Sequence, residues 1–271
     1  MTDLPTEPHA DPAPYLDELF SLGGKVAVVT GGGTGIGRAL AEGLARAGAT
    51  VAVVGRRATP LAAAATAIDA VTGRPGSVHA FAADLTDRRE LDRVVRGIGS
   101  TVGPPVILVN NAAINERPHL SDTDDDTWDR TIATNLTAPH LLAQRLVPGM
   151  IEAGYGRIVN LASQQATKAF GNSGAYGASK AGVAGLTRSQ AEAWAAHGIT
   201  ANAVTPAFVE TPSTAAVFAD AERAGAMAAR TMVGRNGTAA DLVGLVVFLA
   251  GPSAGFVTGQ LLHADGGFSA H

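Results

Sequence analysis

One of only three tyrosines in the chain, Tyr176, stands four residues before Lys180 in the stretch SGAYGASKAG. Four residues advance a helix by about 6 Å and return the side chain to the same face. A phenol with a pKa of about 10 is a poor acid–base catalyst at neutral pH until its anion is stabilised. An ammonium one turn away favours that anion, so the pair reads as a proton-transfer device in which Lys180 lowers the Tyr176 pKa. The plainer reading is a Tyr and a Lys sharing an exposed helix face. Ser163, 13 residues before Tyr176, weighs against it. A rival role for Ser163 as an acyl-forming nucleophile fails, because LASQQ lacks the GxSxG elbow.

A second constellation lies upstream. TGGGTGIGRAL carries glycines at 31, 32, 33, 35 and 37, where an apolar run must turn sharply into a helix. Glycine lets backbone approach a pyrophosphate closely, and the helix that follows offers its N-terminal N–H groups and dipole to the phosphates. The next apolar run ends VVGRR. An NAD-selective site would place a carboxylate there to hold the ribose 2′-hydroxyl; Arg56 and Arg57 instead suit a 2′-phosphate, so NADP(H) is favoured over NAD(H).

These groups need a scaffold that sets strand ends beside helix starts. Apolar runs at 25–30, 50–55, 78–84, 106–111, 156–163, 199–206 and 260–265 alternate with helical stretches such as 36–47, 128–152, 175–197 and 239–249. Near-continuous apolar strands separated by helices indicate a parallel sheet covered on both faces. The expected fold is α/β: a doubly wound, Rossmann-type, mostly parallel seven-stranded sheet with helices on both faces. Residues 1–22 read as a mobile N-terminal arm, and 23–271 as one catalytic domain.

Composition narrows the function further. A net charge of −4 and a pI near 6.0 argue against nucleic acid, which needs a basic patch. With no cysteine and no His–carboxylate spacing of the metal-ligating kind, no metal site is expected. The longest apolar run, near 242–250, is too short to span a bilayer, and residues 1–20 lack a signal-peptide pattern, so a cytoplasmic protein is expected.

The motifs together resemble the short-chain dehydrogenase/reductase family, in its compact single-domain branch, over nearly the whole chain from Gly23. The loop fits TGxxxGxG; Asn110 to Ala113 fit NNAG with the last glycine replaced; TNL, NLAS and YGASK supply Asn135, Ser163, Tyr176 and Lys180. GRIVNLAS, AYGASKAG and the GQLLHADGGF ending look most like gluconate 5-dehydrogenase-type and 3-oxoacyl-carrier-protein reductase-type members.

The resemblance implies roles for the four. Tyr176 exchanges a proton with the substrate oxygen, Ser163 polarises that oxygen, Lys180 also holds the nicotinamide ribose, and Asn135 positions a water linking Lys180 to solvent. It implies dinucleotide contacts at Gly31, Gly33, Thr34, Gly35, Ile36 and Gly37, at Asp84 and Leu85 for the adenine, and at Asn111, Ala112 and Ala113. Val209 and Thr211 of TPAFVET, where Ala207 replaces a glycine, would bind the carboxamide. A lid is expected at about 211–235, and Asn115, Gln164, Gln165, Asn172 and Phe208 are expected to line the substrate pocket.

The reaction so implied interconverts a ketone and a secondary alcohol. A nucleotide-sensing protein without chemistry is the alternative, and the complete Asn, Ser, Tyr and Lys set argues against it; a dehalogenase-like lyase would lack the glycine loop. Exposed Ala, Leu and Val on the helices at 128–152 and 175–197, including Ala181, Val183, Ala184 and Leu186, point to a homotetramer.

Overall fold

The computed structural model describes residues 13–270, so the first twelve residues of the expected arm lie outside the described residues. Helix α1 (Ala13–Phe20) has no buried residue and packs against a turn at Pro252–Ala254. Leu22, which the sequence placed in the arm, is instead fully buried, with its N–H donating to the Ala47 carbonyl at 2.7 Å. An apolar side chain that can reach the core is held there, so the packed domain starts at Leu22 rather than beyond it.

The chain then alternates strand and helix: β1 (Val26–Thr30), α2 (Gly35–Arg46), β2 (Thr50–Gly55), α3 (Ala58–Thr72), β3 (Val78–Ala82), α4 (Arg88–Val102) and β4 (Ile107–Asn110). There follow α5 (Asp125–Ile132), α6 (Ala138–Glu152), β5 (Gly156–Leu161), α7 (Gly174–Trp194) and β6 (Ile199–Pro206). Two short helices, α8 (Ala215–Phe218) and α9 (Ala221–Ala228), lie in the segment 211–235, before α10 (Ala240–Ala250) and β7 (Leu261–Ala264).

All seven strands form one sheet in the order β3-β2-β1-β4-β5-β6-β7, and every pairing is parallel. Every residue of β1, β4, β5 and β6 is buried, as helices on both faces require. Leu40 and Leu44 of α2, Leu61 and Ile68 of α3, and Leu242, Val246 and Leu249 of α10 fill one face. Leu91, Val94 and Ile98 of α4 and Leu142, Leu146 and Met150 of α6 fill the other. Each such leucine contributes about 1.5–3 kcal/mol by leaving water. From β1 the chain steps outward to β3, then returns to place β4 on the far side of β1, so the crossovers diverge between β1 and β4. The crevice at the carboxyl ends of those strands is where such sheets hold ligands.

The helical stretch expected at 128–152 runs from Asp125 to Glu152 and carries a one-turn π bulge. Asp124 caps α5 by accepting from the Thr127 N–H at 2.7 Å, and Asp125 and Asp126 face the helix dipole. One π-helical turn, Ala133–Thr137, separates α5 from α6, with the Ala138 N–H reaching the Ala133 carbonyl five residues back. Pro139, just after the turn, has no N–H to donate to the Asn135 carbonyl. The helix faces expected to pair between copies also need correction. Val183 and Ala184 are 2% and 7% exposed within one chain, Val183 packing with Ala162 and Ala203, while Ala181 is exposed and Leu186 half-buried.

Candidate active site

The turn after β1 is built on left-handed backbone: Gly31 has φ 67° and Gly35 φ 55°. At Gly37 even a methyl group would run into the Gly31 carbonyl and the Asn111 amide, so helix α2 starts unusually close to the end of β4. The Thr30 hydroxyl fixes that approach, accepting from the N–H groups of Asn111 and Ala112 at 2.9 Å each, while the Asn111 amide donates to the Thr30 carbonyl at 2.9 Å. Thr34, at the N-cap of α2, gives no side-chain cap, so the first-turn N–H groups of Gly35, Ile36 and Gly37 remain available to the cleft.

The cleft encloses about 1170 Å³ and runs from this turn to the carboxyl end of β6. Gly33, Leu85, Ala113, Asn115, Gln164, Gln165, Phe208, Val209 and Thr211 also line it, as expected from the sequence. At one end stand Arg56 and Arg57, both exposed, and neither makes a hydrogen bond to protein among the described residues. Asp84 faces them. Burial alone would raise its carboxyl, but two bonds from Thr86, at 2.9 and 2.7 Å, and the Arg56 charge outweigh that and hold it below the usual range. Left-handed glycines, an uncapped helix start and two free guanidiniums in one elongated cleft fit a dinucleotide carrying a 2′-phosphate. Neither Ala113 nor Ala207 needs a glycine, since among the described residues no residue other than glycine has positive φ.

At the other end, β5 runs into Ser163, whose hydroxyl accepts from the Gln165 N–H at 3.2 Å and acts on the Tyr176 phenol, drawing its pKa down. Helix α7 is held to the sheet by a buried amide relay. Asn110 donates to Asn160 at 2.8 Å, and Asn160 donates to Thr187 and Gln190 at 2.9 Å each. This sets Tyr176 on the cleft wall and buries Lys180, whose ammonium donates to the Leu161 carbonyl at 2.6 Å and lies 5.7 Å from the Tyr176 ring centre.

The electrostatics differ from the sequence reading. Burial is the largest influence on Tyr176 and raises its pKa; the Ser163 hydrogen bond and the Arg117 charge oppose it without overcoming it. Burial pushes Lys180 down to about 8. Lys180, itself lowered by burial, is not among the influences that act on Tyr176. The cation that lowers Tyr176 is Arg117, on the loop after β4, which the sequence reading missed. Its signal was faint: an arginine in NERP beside Glu116, which pairs with Arg130 at 2.8 Å.

Two other expected residues sit elsewhere. Asn135 is buried in the π-helical turn and does not line the cleft. Its side chain accepts from the Ile114 N–H at 2.9 Å and donates to the Ile114 carbonyl at 3.0 Å and the Ser179 hydroxyl at 3.1 Å. With both of its N–H donors committed, its side chain positions the loop after β4 against α7. Asn172 lines a separate cavity of about 110 Å³, shared with Phe170, Phe208 and Arg117. Among the described residues, no cluster of His, Asp or Glu could hold a metal ion, and no helix is long and apolar enough to cross a membrane.

The arrangement can polarise a carbonyl oxygen, deliver a proton to it and hold an anionic dinucleotide alongside. A family model described as enoyl-(acyl carrier protein) reductase matches residues 31–269. The chain is 38% identical over 252 residues to a gluconate 5-dehydrogenase of Gluconobacter oxydans (strain 621H), covering 93% of this chain and 97% of the relative. It is 39% identical over 250 residues to a 3-oxoacyl-(acyl-carrier-protein) reductase of Vibrio harveyi, covering 92% and 98%. Among solved structures, a gluconate 5-dehydrogenase from Burkholderia cenocepacia J2315 in complex with NADP and tartrate matches with a TM-score of 0.88 at 33% identity, over 94% of this chain and 99% of that one.

Proposed function

The chain belongs to the short-chain dehydrogenase/reductase family and is an oxidoreductase acting on CH–OH and C=O groups, and on that premise we propose that it interconverts a ketone and a secondary alcohol with NADP(H), using Tyr176 as the acid and base. The observation that carries this reading is that Ser163, Tyr176 and Lys180 meet on the wall of one cleft, the serine acting on the phenol and the lysine anchored to the Leu161 carbonyl.

The glycine turn and the first turn of α2 would hold the cofactor's pyrophosphate, Arg56 and Arg57 its 2′-phosphate, Asp84 and Leu85 the adenine, and Val209 and Thr211 the carboxamide. When bound, NADPH supplies hydride to a carbonyl carbon. Ser163 and Tyr176 direct two O–H groups at the carbonyl oxygen, where negative charge develops. The Tyr176 proton passes to that oxygen, and in the reverse direction the phenolate takes it back. A raised phenol pKa keeps Tyr176 protonated at neutral pH, the form that carbonyl reduction needs. Lys180 supplies the next proton. With a pKa of about 8 it exchanges readily near neutral pH, which a lysine near ~10.5 would not.

The segment 211–235, with α8 and α9, serves as the lid in this reading, and the enzyme works in the cytoplasm as a homotetramer. The test is oxidation of NADPH and NADH against a panel of keto-sugar acids, cyclic ketones and β-keto esters. Consumption of NADPH ahead of NADH with any of these supports the reading. Tight NADPH binding with no reduced carbonyl refutes it in favour of a nucleotide sensor.

A further inference from the structure

The relatives of this chain act on chemically unlike carbonyls, so the substrate must be read from the chain's own pocket. Arg117 and Phe208 line both the large cleft and the 110 Å³ cavity beside it, so the cavity adjoins the reacting end of the cleft. Phe170, Val217 and Met227 give it apolar walls, and Arg223 of α9 enters from the lid.

The charges around this cavity do not balance. Glu116 is taken by Arg130 at 2.8 Å, and the Asp220 carboxylate caps α9 by accepting from the Arg223 N–H at 3.0 Å. Among the described residues neither the Arg117 nor the Arg223 guanidinium makes a hydrogen bond or ion pair with protein. Arg230 adds a third positive charge nearby, stacked 5.1 Å from the Phe170 ring centre and 4.5 Å from that of Phe268. Apolar walls strengthen the attraction of such a site for an anion. A second observation concerns the wall nearer Ser163. The side-chain oxygens of Gln164 and Gln165 are buried there without a hydrogen-bond partner, although both residues line the cleft. Buried acceptors call for donors, and a substrate's hydroxyl groups supply them once each amide turns its oxygen towards the cleft.

Resting on the oxidoreductase reading above, we propose that the substrate is a polyhydroxylated keto acid whose carboxylate enters the small cavity between Arg117 and Arg223 while its hydroxyls pair with Gln164 and Gln165. A long acyl chain would leave two guanidiniums and two amide oxygens unpaired, each at a cost. Because Arg117 reaches both cavities, the carboxylate lies several bonds from the reacting carbon, and Arg223 makes lid closure and carboxylate binding one event.

The test uses the full chain with NADPH and a matched pair, 5-keto-D-gluconate and L-sorbose, which differ only in a carboxylate against a hydroxymethyl group. D-fructose 6-phosphate, cyclic ketones and β-keto esters complete the panel. The expected result is a kcat/KM for the acid at least ~10-fold above that for the ketose, the gain of a charge-assisted bond. Arg117→Met and Arg223→Met should each cut that acid-to-ketose ratio tenfold or more, with calorimetric binding of D-gluconate weakened in parallel and partly restored by Arg117→Lys. Equal use of acid and ketose, preference for the sugar phosphate, or an unchanged ratio in both variants overturns the subsite. So does reduction of cyclic ketones or β-keto esters without the acid, which leaves the oxidoreductase reading intact. No reduction of any carbonyl refutes that reading first, and the subsite falls with it.

Discussion

The Lys180 ammonium donates to the Leu161 carbonyl at 2.6 Å, tying α7 to the last residue of β5 in a buried position where a cation is disfavoured. Its folded-state pKa is about 8 against 10.5 for the ordinary side chain. Between those values the unfolded chain binds a proton that the folded chain does not, so stability rises with pH across that window. Below about pH 8 the full penalty is present. Lys180→Met should therefore melt higher than the parent at pH 7, by up to about 3 kcal/mol less any loss of the Leu161 bond. The advantage should shrink towards pH 10. Thermal melts at the two pH values check this, and a variant less stable at both would show that the bond outweighs the desolvation.

Tyr176→Phe removes the proton donor and little else, since the ring stays on the cleft wall. Turnover should fall by at least about 10²-fold while NADPH affinity is retained. Near-normal turnover would remove Tyr176 from the chemistry.

Arg56 lies beside Asp84 and lowers its carboxyl, so it acts on both ends of the expected adenosine site. Arg56→Asp should remove the 2′-phosphate partner, set a like charge against it and shift preference towards NADH. Dissociation constants for both nucleotides decide; tighter NADH binding by the parent would overturn the reading of VVGRR.

Gly37→Ala places a methyl group against the Gly31 carbonyl and the Asn111 amide, and backbone cannot yield cheaply there. NADPH affinity should drop by tenfold or more, together with a lower melting temperature. Gly149→Ala, in open space on α6, serves as the control: NADPH affinity should stay the same and the melting temperature should rise, since alanine is the better helix former.

Assembly as a homotetramer predicts a mass near four chains by light scattering at micromolar concentration. A mass near 27.3 kDa refutes it, and one near twice that leaves a single two-fold interface. Because Val183 and Ala184 are already buried within the chain, charge reversal should be placed at the exposed Ala181. Ala181→Glu is expected to lower the mass.

Much of the fold was legible because its strands are buried on both faces and so read as uninterrupted apolar runs; β6 falls at 199–206 as expected. The cleft was legible because glycine at Gly31 and Gly35 answers a backbone need, and Tyr176 and Lys180 share one α7 turn. What escaped depends on neighbours distant in sequence. Arg117 matters only because the chain folds it towards Tyr176, and its adjacent Glu116 bonds to a residue fourteen positions away. The depressed Lys180 is a consequence of burial, which spacing does not reveal. The π-helical turn before α6 left no mark on the periodicity, which carries across it.

That turn makes the site sensitive to chain length as well as to side-chain identity. Deleting one residue from Ala133–Thr137 would let the segment wind as ordinary α-helix, leaving α5 and α6 close to their present relation but turning the remaining residues of the turn to new directions. Asn135, now seated between Ile114 and Ser179, would swing away from both. The Arg117 loop and the Tyr176 helix would then lose their common brace, although no residue that touches substrate had changed. The one extra residue wound into that turn sets where Asn135 points, and with it the seating of the loop and the helix that Asn135 joins.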